Sequence, residues 1–430
     1  MNTDHLDVAY AIGQDLVRTA IWHDERCNWI GPASETDAQW DGAALSALGT
    51  DLYGGTSGVA YFLAELYTAT GASAIKRAAL GALRQALASA TTDDRCGPGM
   101  YIGSTGIAVA AAYAGMRLDQ PWLVEQAARL IQQPATADPD GDREADLMSG
   151  LAGQILSLLI LSDVLARTDL VEQAILLADR LLATVVKAED WYCWAPSTGP
   201  STSPLAGISH GTAGIGQALL ELSRSTGEAR YRHAGERAFA YERHLFDPVH
   251  QNWPDLRQVP KRASRRAVPF ISTWCHGAPG IAMTRLRAYE LFADEACRDE
   301  ALQGIATTSR MLRDTLTTRT GNYSLCHGLG GNAELLLHAQ EILDEPSAAQ
   351  AALLQEVAEA GREHHSHPSQ PWPCGIREGS TPGLMCGLAG IGLFYLRLHD
   401  PAVPSVLLLK PGAFARTANR AGSTGLPVSG

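Results

Sequence analysis

The sequence has no long hydrophobic run, little cysteine and no excess of positive charge. Nowhere in its 430 residues does a stretch approach the 18 or more consecutive apolar residues that a membrane-spanning helix needs. The opening residues, Met1-Asn2-Thr3-Asp4-His5, are polar and acidic, where a secretory signal would be basic and then apolar. Eight cysteines are too dilute for a disulfide framework and read as thiols or metal ligands. Lys and Arg number 34 against 46 Asp and Glu, and the net charge of -12 argues against a nucleic-acid backbone as the main partner. The expectation is a cytoplasmic protein without a membrane span, whose ligand is neutral or cationic.

What is present is ordinary in amount and unusual in arrangement. Hydrophobic residues make up 46% and charged residues 19%, as in a globular protein. A single core usually stops growing near about 250–300 residues, so a chain of this length needs two domains or a repeat architecture. The repeats decide. A Gly-x-x-Gly signature followed by an apolar run occurs seven times, with first glycines at 55, 103, 150, 211, 277, 328 and 387. The gaps of 48, 47, 61, 66, 51 and 59 residues each accommodate two helices and two loops.

The first glycine of each pair suits a tight loop turning into a helix, where a positive φ or close backbone approach is wanted. The second, a turn later, lets neighbouring helices pack closely. The runs that follow are apolar nearly all round and should be buried, whereas intervening segments such as Ala74–Leu87 are amphipathic. A linear solenoid would need polar capping repeats at its ends, and neither end repeat has them. The pattern predicts a closed double ring of seven inner and seven outer helices over residues 1–410. Residues 1–45 read as an irregular lead-in with a helix near Val8–His23, residues 252–266 as a basic loop over one face, and residues 411–430 as a disordered tail.

Aligning the repeats on the first glycine exposes the chemistry. The residue before it is Gly54, Ile102, Ser149, His210, His276, His327 and Cys386, and one further back stand Cys275 and Cys326. All would sit at the N-terminal ends of inner helices and converge on one mouth of the ring. The repeated Cys-His-Gly sets Cys275 and Cys326 apart from Cys27, Cys193, Cys297 and Cys374, which read as small buried hydrophobes. His233, His244, His250, His338, His364, His365 and His367 read as surface residues. Two zinc sites are compatible with the pattern: a closed one with Cys275, His276, Cys326 and His327, or an open one with three protein ligands and an exchangeable fourth position. Spacing does not decide between them.

The strings Ser-His-Gly-Thr-Ala-Gly-Ile-Gly, Trp-Cys-His-Gly-Ala-Pro-Gly, Leu-Cys-His-Gly-Leu-Gly-Gly-Asn-Ala-Glu and Gly-Leu-Met-Cys-Gly-Leu-Ala-Gly resemble those of the lanthionine synthetase C family, as do Asn252-Trp and Pro404-Ser-Val-Leu-Leu-Leu. The resemblance runs from about residue 50 to 410. It implies an all-α toroid and a zinc held by Cys275, Cys326 and His327. The implied substrate is a ribosomal peptide whose Ser and Thr have been dehydrated, and whose Cys thiol adds to the dehydro residue to close a thioether ring. A dehydratase and an exporter would be partners, in a complex that could sit at the inner membrane face. His210 matches the residue that protonates the enolate, and Asp146 matches its acidic partner. His276 reads as a second donor to the enolate, pointing away from the metal. Family members often carry an Arg shortly before the first zinc Cys. Here Ile271-Ser-Thr-Trp stands there, so that role is empty or falls to Arg262, Arg265 or Arg266. Competing readings are addition of glutathione or another small thiol in the same fold, a closed zinc-stabilised binding toroid, and the other zinc toroid, the protein prenyltransferase subunit.

Overall fold

The structure is a computed structural model that describes residues 3–32, 45–90, 97–132, 144–196, 203–257, 268–345, 347–365, 370–377 and 379–414. Seven helices follow the seven glycine signatures: α2 (Thr56–Thr70), α4 (Ser104–Arg117), α6 (Leu151–Leu165), α8 (Thr212–Thr226), α10 (Ala278–Phe292), α12 (Leu329–Ile342) and α14 (Leu388–His399). They are buried all round, as their composition requires; in α6 the first eleven residues, Leu151 to Leu161, are all buried. A second set lies outside them: α1 (Thr3–Thr19), α3 (Ser73–Ala90), α5 (Pro121–Gln132), α7 (Asp169–Ala183), α9 (Ala229–Leu245), α11 (Glu295–Thr318) and α13 (Ala348–His365). These bury one stripe only, which in α5 is Leu123, Ala127 and Leu130.

Each inner helix packs on the outer helix that follows it and on its two inner neighbours, and α14 meets α2 to close the ring. The outer partner of α14 comes from the other end of the chain: it is α1. The N-terminal segment is therefore no irregular lead-in but the seventh outer helix. It docks through Val8, Ile12 and Leu16, each contributing at most about 1.5–3 kcal/mol. It also ends at Thr19, short of His23, because Ile21–His23 (β1) pairs with Arg26–Asn28 (β2) in a small hairpin. Two further hairpins, Ile30–Pro32 (β3) with Leu45–Ala47 (β4) and Val186–Lys187 (β5) with Tyr192–Cys193 (β6), decorate the rim. No helix among the described residues is long and apolar enough to cross a membrane.

The seven loops that lead into the inner helices are joined edge to edge by backbone hydrogen bonds. Tyr53 N–H donates to Tyr101 O, Tyr101 to Met148, Leu147 to Ser209, Ser209 to Cys275, Cys275 to Cys326, Cys326 to Met385, and Met385 back to Tyr53. This chain of bonds closes on itself. The glycines make it possible. In every repeat the space where the second glycine's Cβ would stand is taken by the carbonyl of the residue six before it: Met100 O for Gly106 at 1.6 Å, Leu325 O for Gly331 at 1.7 Å. A side chain of the preceding repeat presses on the same spot in most cases, as Ile208 does on Gly280. Close approach, not a positive φ, is the main requirement at the first glycines, with Gly277 (φ 97°) the exception.

The C-terminal segment crosses the centre of the ring. Pro404 O accepts from the Tyr61 hydroxyl, Val406 O from that of Tyr101 at 2.5 Å, and Leu407 O from the Trp274 indole at 3.0 Å. Ser405 binds Glu334, Lys410 binds Glu290, and Phe414 packs on Tyr113. Order thus continues past residue 411, where a tail was expected to begin; residues 415–430 lie outside the described residues. Cys27, Cys193, Cys297 and Cys374 are buried, as expected. His338 is also buried, 3.4 Å from the Glu341 carboxylate, and not on the surface; His367 lies outside the described residues.

Replacing Gly331 by Ala should destabilise the fold by about 1–3 kcal/mol or more, the scale of overpacking, because the new Cβ meets the Leu325 carbonyl. Gly54→Ala, with nothing within 4 Å of the new atom, should leave the denaturation midpoint near wild type. Equal losses in the two variants would contradict the close-approach role.

Candidate metal and acid-base site

The reactive side chains gather where repeats four to seven and repeat one meet the hydrogen-bonded ring of loops. Two of these loops are held by a side chain that caps the helix behind them. Glu242, from α9, accepts from Gly207 and Ala213 N–H at 2.8 and 3.0 Å, fixing the loop that carries His210. Asn252 accepts from Ala278 N–H at 3.0 Å and donates to Ile271 O at 3.0 Å, fixing the loop of Cys275 and His276. These caps satisfy helix N-terminal donors that would otherwise be orphaned.

Three ligand atoms, from Cys326, His327 and Cys386, lie within 4.8 Å of one another. Cys275 stands outside this group but beside it, its backbone N–H donating to Cys326 O at 3.4 Å and its thiol interacting with that of Cys326. Of the three metal ligands implied by the resemblance, two therefore fall in the group, and Cys386 joins them. The reason is local: Cys326 N–H donates to Met385 O at 2.8 Å and Gly375 N–H to Cys386 O at 2.7 Å, so repeat seven is drawn against repeat six. His327 Nε2–H donates to Gly375 O at 2.9 Å, which leaves Nδ1 as the atom able to bind a metal. Soft sulfur and imidazole donors in this number suit zinc.

The thiols influence one another. Hydrogen bonds to the Cys275 and Cys386 thiols, together with burial, push Cys326 well above the usual thiol range. Cys275 is pulled down, first by the hydrogen bond from Cys326 and then, against burial, by the Thr273 hydroxyl and the charges of Arg257 and His327. Of this pair, Cys275 ionises first.

His210 stands at the mouth, its side chain 39% exposed, with Nδ1 2.5 Å from Oδ2 of the buried Asp146. The other Asp146 oxygen accepts the N–H groups of Ser149 and Gly150, both at 3.0 Å. One carboxylate thus caps α6 and fixes the imidazole tautomer, leaving Nε2 to exchange protons. Burial disfavours the imidazolium, but the hydrogen bond and charge of Asp146, with Glu144 and Cys275 behind them, outweigh it and hold His210 above the ordinary imidazole range.

His276 does not face outward as a second enolate donor. It is buried; its Nδ1–H donates to Ala206 O at 3.2 Å, and its Nε2 faces the Ser209 hydroxyl at 3.4 Å. Burial first, then the Arg257 charge, lower its pKa to about 3. It is neutral with its one proton committed, and it stacks 6.1 Å behind His210. Two residues near the thiols come from outside the sequence-based set. Arg257 is braced by Asp255 at 2.8 Å, and its charge acts on Cys275 and Cys326; Arg262, Arg265 and Arg266 lie outside the described residues. Tyr53 places its hydroxyl 3.3 Å from Cys386 Sγ. Its position, two before the first glycine, is the repeat equivalent of Cys275 and Cys326, and that alignment was the available signal.

NMR titration should place the His210 pKa above the ordinary value of about 6.5 and show it falling in Asp146→Asn. Because the folded value lies above the unfolded one, the pair stabilises the fold in acid, and this contribution is lost as pH rises through the folded pKa. Asp146→Asn should flatten that pH dependence; an unchanged titration would sink the pairing.

A family profile described as "Lanthionine synthetase C-like protein" matches residues 46–408. The zebrafish (Danio rerio) protein named glutathione S-transferase LANCL1 is 25% identical over 369 residues, covering 81% of this chain and 82% of its own. The lacticin 481/lactococcin biosynthesis protein LcnDR2 of Lactococcus lactis subsp. lactis is 25% identical over 195 residues, 44% of this chain and only 20% of that longer protein. Among solved structures, nisin cyclase shares the fold with a TM-score of 0.59 at 18% identity, over 82% of this chain and 89% of its own. Since the profile spans all seven repeats, the mouth and the start of the segment that crosses the ring, the chain belongs to the lanthionine synthetase C-like family.

Proposed function

We propose that this protein is a zinc-dependent cyclase that adds Cys thiols of a ribosomal peptide to its dehydroalanine or dehydrobutyrine residues, forming lanthionine or methyllanthionine rings. The observation that carries the reading is the meeting, in one mouth, of a sulfur and imidazole donor set with the His210–Asp146 pair. Cys275, Cys326 and His327 would hold the zinc. A free thiol, with a pKa near about 8.5, is mostly protonated at neutral pH and only its thiolate attacks; zinc supplies the acidity that ionises it.

The remaining work falls to the chain's own side chains. As the carbon–sulfur bond forms at the β-carbon, charge develops on the enolate, and the α-carbon must take a proton. His210 Nε2 is the exposed acid at the mouth, and the hydrogen bond and charge of Asp146 outweigh burial to favour its imidazolium. Arg257, held by Asp255, brings a fixed positive charge to the same mouth, in the role that an Arg before the first zinc Cys has in family members. His276 backs His210 and positions it. The dehydrated substrate calls for a dehydratase acting beforehand, and an exporter would take the product.

A second reading, addition of glutathione to dehydrated residues, is favoured by the zebrafish relative, whose name gives glutathione as the transferred thiol and which matches over most of both chains. Offering a dehydrated peptide with and without its own Cys, with glutathione present, separates the two. Cyclisation leaves mass unchanged and removes a free thiol, whereas a glutathione adduct adds the tripeptide's mass.

Cys326→Ala should lose zinc and activity together. His210→Asn should keep one zinc per chain while thioether formation slows by about 10²–10⁴-fold, the scale of a lost general acid. Metal loss in His210→Asn would show that this histidine is a ligand and that the assignment of roles is wrong.

A further inference from the structure

We propose that Cys386 is a third sulfur ligand of the metal, so that the site has four protein donors, Cys275, Cys326, His327 and Cys386, from three successive repeats. The inference rests on the zinc reading above and goes beyond it, since that reading uses two sulfurs and leaves one position open.

Cys386 occupies the repeat position of His210, His276 and His327, directly before the first glycine. Its sulfur shares the 4.8 Å mutual spacing with Cys326 and His327, a group that does not include Cys275, whose backbone N–H is bonded to Cys326 O. Zinc–sulfur bonds of about 2.3 Å in a tetrahedron set neighbouring sulfurs about 3.8 Å apart, so Cys326, His327 and Cys386 need only a small contraction to close on an ion, with Cys275 moving in beside Cys326.

Three backbone-anchored bonds already fix its members relative to one another. Cys326 N–H binds Met385 O, Gly375 N–H binds Cys386 O, and His327 Nε2–H binds Gly375 O. Gly375 allows this close approach, because a Cβ would lie 2.7 Å from His327 Nε2 and 2.6 Å from Ser324 Oγ and would push those side chains aside. The surroundings also suit an anionic sulfur at Cys386. The Tyr53 hydroxyl, 3.3 Å away, can donate to it in the manner of an outer-shell partner. Three thiolates on one divalent cation carry a net negative charge, and Arg257 supplies the compensating cation beside Cys275 and Cys326. Four protein donors complete the tetrahedron, so a substrate thiol would have to take the place of one of them.

The test is zinc K-edge X-ray absorption on the full chain, with metal content and chelator competition, for wild type and Cys386→Ser. Wild type should show three sulfurs and one nitrogen, and Cys386→Ser two sulfurs with zinc affinity weaker by about tenfold or more, at least the scale of losing an outer-shell partner. Two sulfurs in wild type, or a count and affinity unchanged in Cys386→Ser, would overturn the proposal and leave the zinc reading standing. Absence of zinc from wild type, or zinc retained by Cys326→Ala, would instead bring down that reading and this inference together. Should Cys386→Ser fail to fold, the wild-type count decides alone.

Discussion

The closed circuit of backbone hydrogen bonds that ties the seven loops together is the constraint on which everything else depends. An open arc of helix pairs would let each repeat tilt independently, but a circuit that returns from Met385 to Tyr53 fixes every loop against two neighbours. Sequence position then becomes spatial position: whatever stands one or two residues before a first glycine lies in the same ring of loops, and its partners decide whether it faces the mouth or is buried behind it. The second glycines protect this arrangement from beneath, since the carbonyls they accommodate belong to the same loops. Closure by α1 against α14 joins the chain's two ends in one helix pair, so ring integrity is a property of the whole chain and not of any repeat.

Much of this was legible in the sequence because repetition amplifies weak signals. One glycine pair before an apolar run says little; seven at similar gaps specify a helical toroid. Cys275, Cys326, His327 and His210 stood out for the same reason. The parts that stayed hidden have no periodicity to betray them. The role of α1 depends on which helix lacks a partner, which only three-dimensional closure reveals. Arg257 reaches the thiols because Asp255 braces it, and nothing in the spacing of residues 252–266 distinguishes it from the arginines that follow. Cys386 and Tyr53 did lie at aligned positions, but Cys386 lacks the adjacent histidine that marked the other two motifs, and a tyrosine at such a position reads as packing.

The two aligned histidines show how the same residue type in the same repeat position acquires opposite properties. His210 meets a buried carboxylate and keeps an exposed face, so it is held in a form that can carry a second proton. His276, one repeat on, meets a carbonyl and a hydroxyl, and the nearby guanidinium adds to the penalty of burial. The contrast follows from partners, not from sequence context, and it leaves one ring with an exposed nitrogen and the other fully enclosed.

The segment from Pro404 to Phe414 turns the toroid from a tunnel into a cup. Tyr61, Tyr101 and Trp274, drawn from separate parts of the ring, all spend their polar atoms on its carbonyls. A ring of helices with an empty centre would offer a passage through which an extended chain could be threaded and read in one direction. Bonded to the ring at three separate points, the segment occupies that passage. A long peptide of the kind proposed as substrate would present its reacting stretch as a bight dipped in from above, with both flanking ends left outside. Successive sites along such a peptide would be served by repeated visits in any order that its own conformation permits, and not by a ratchet running from one terminus to the other.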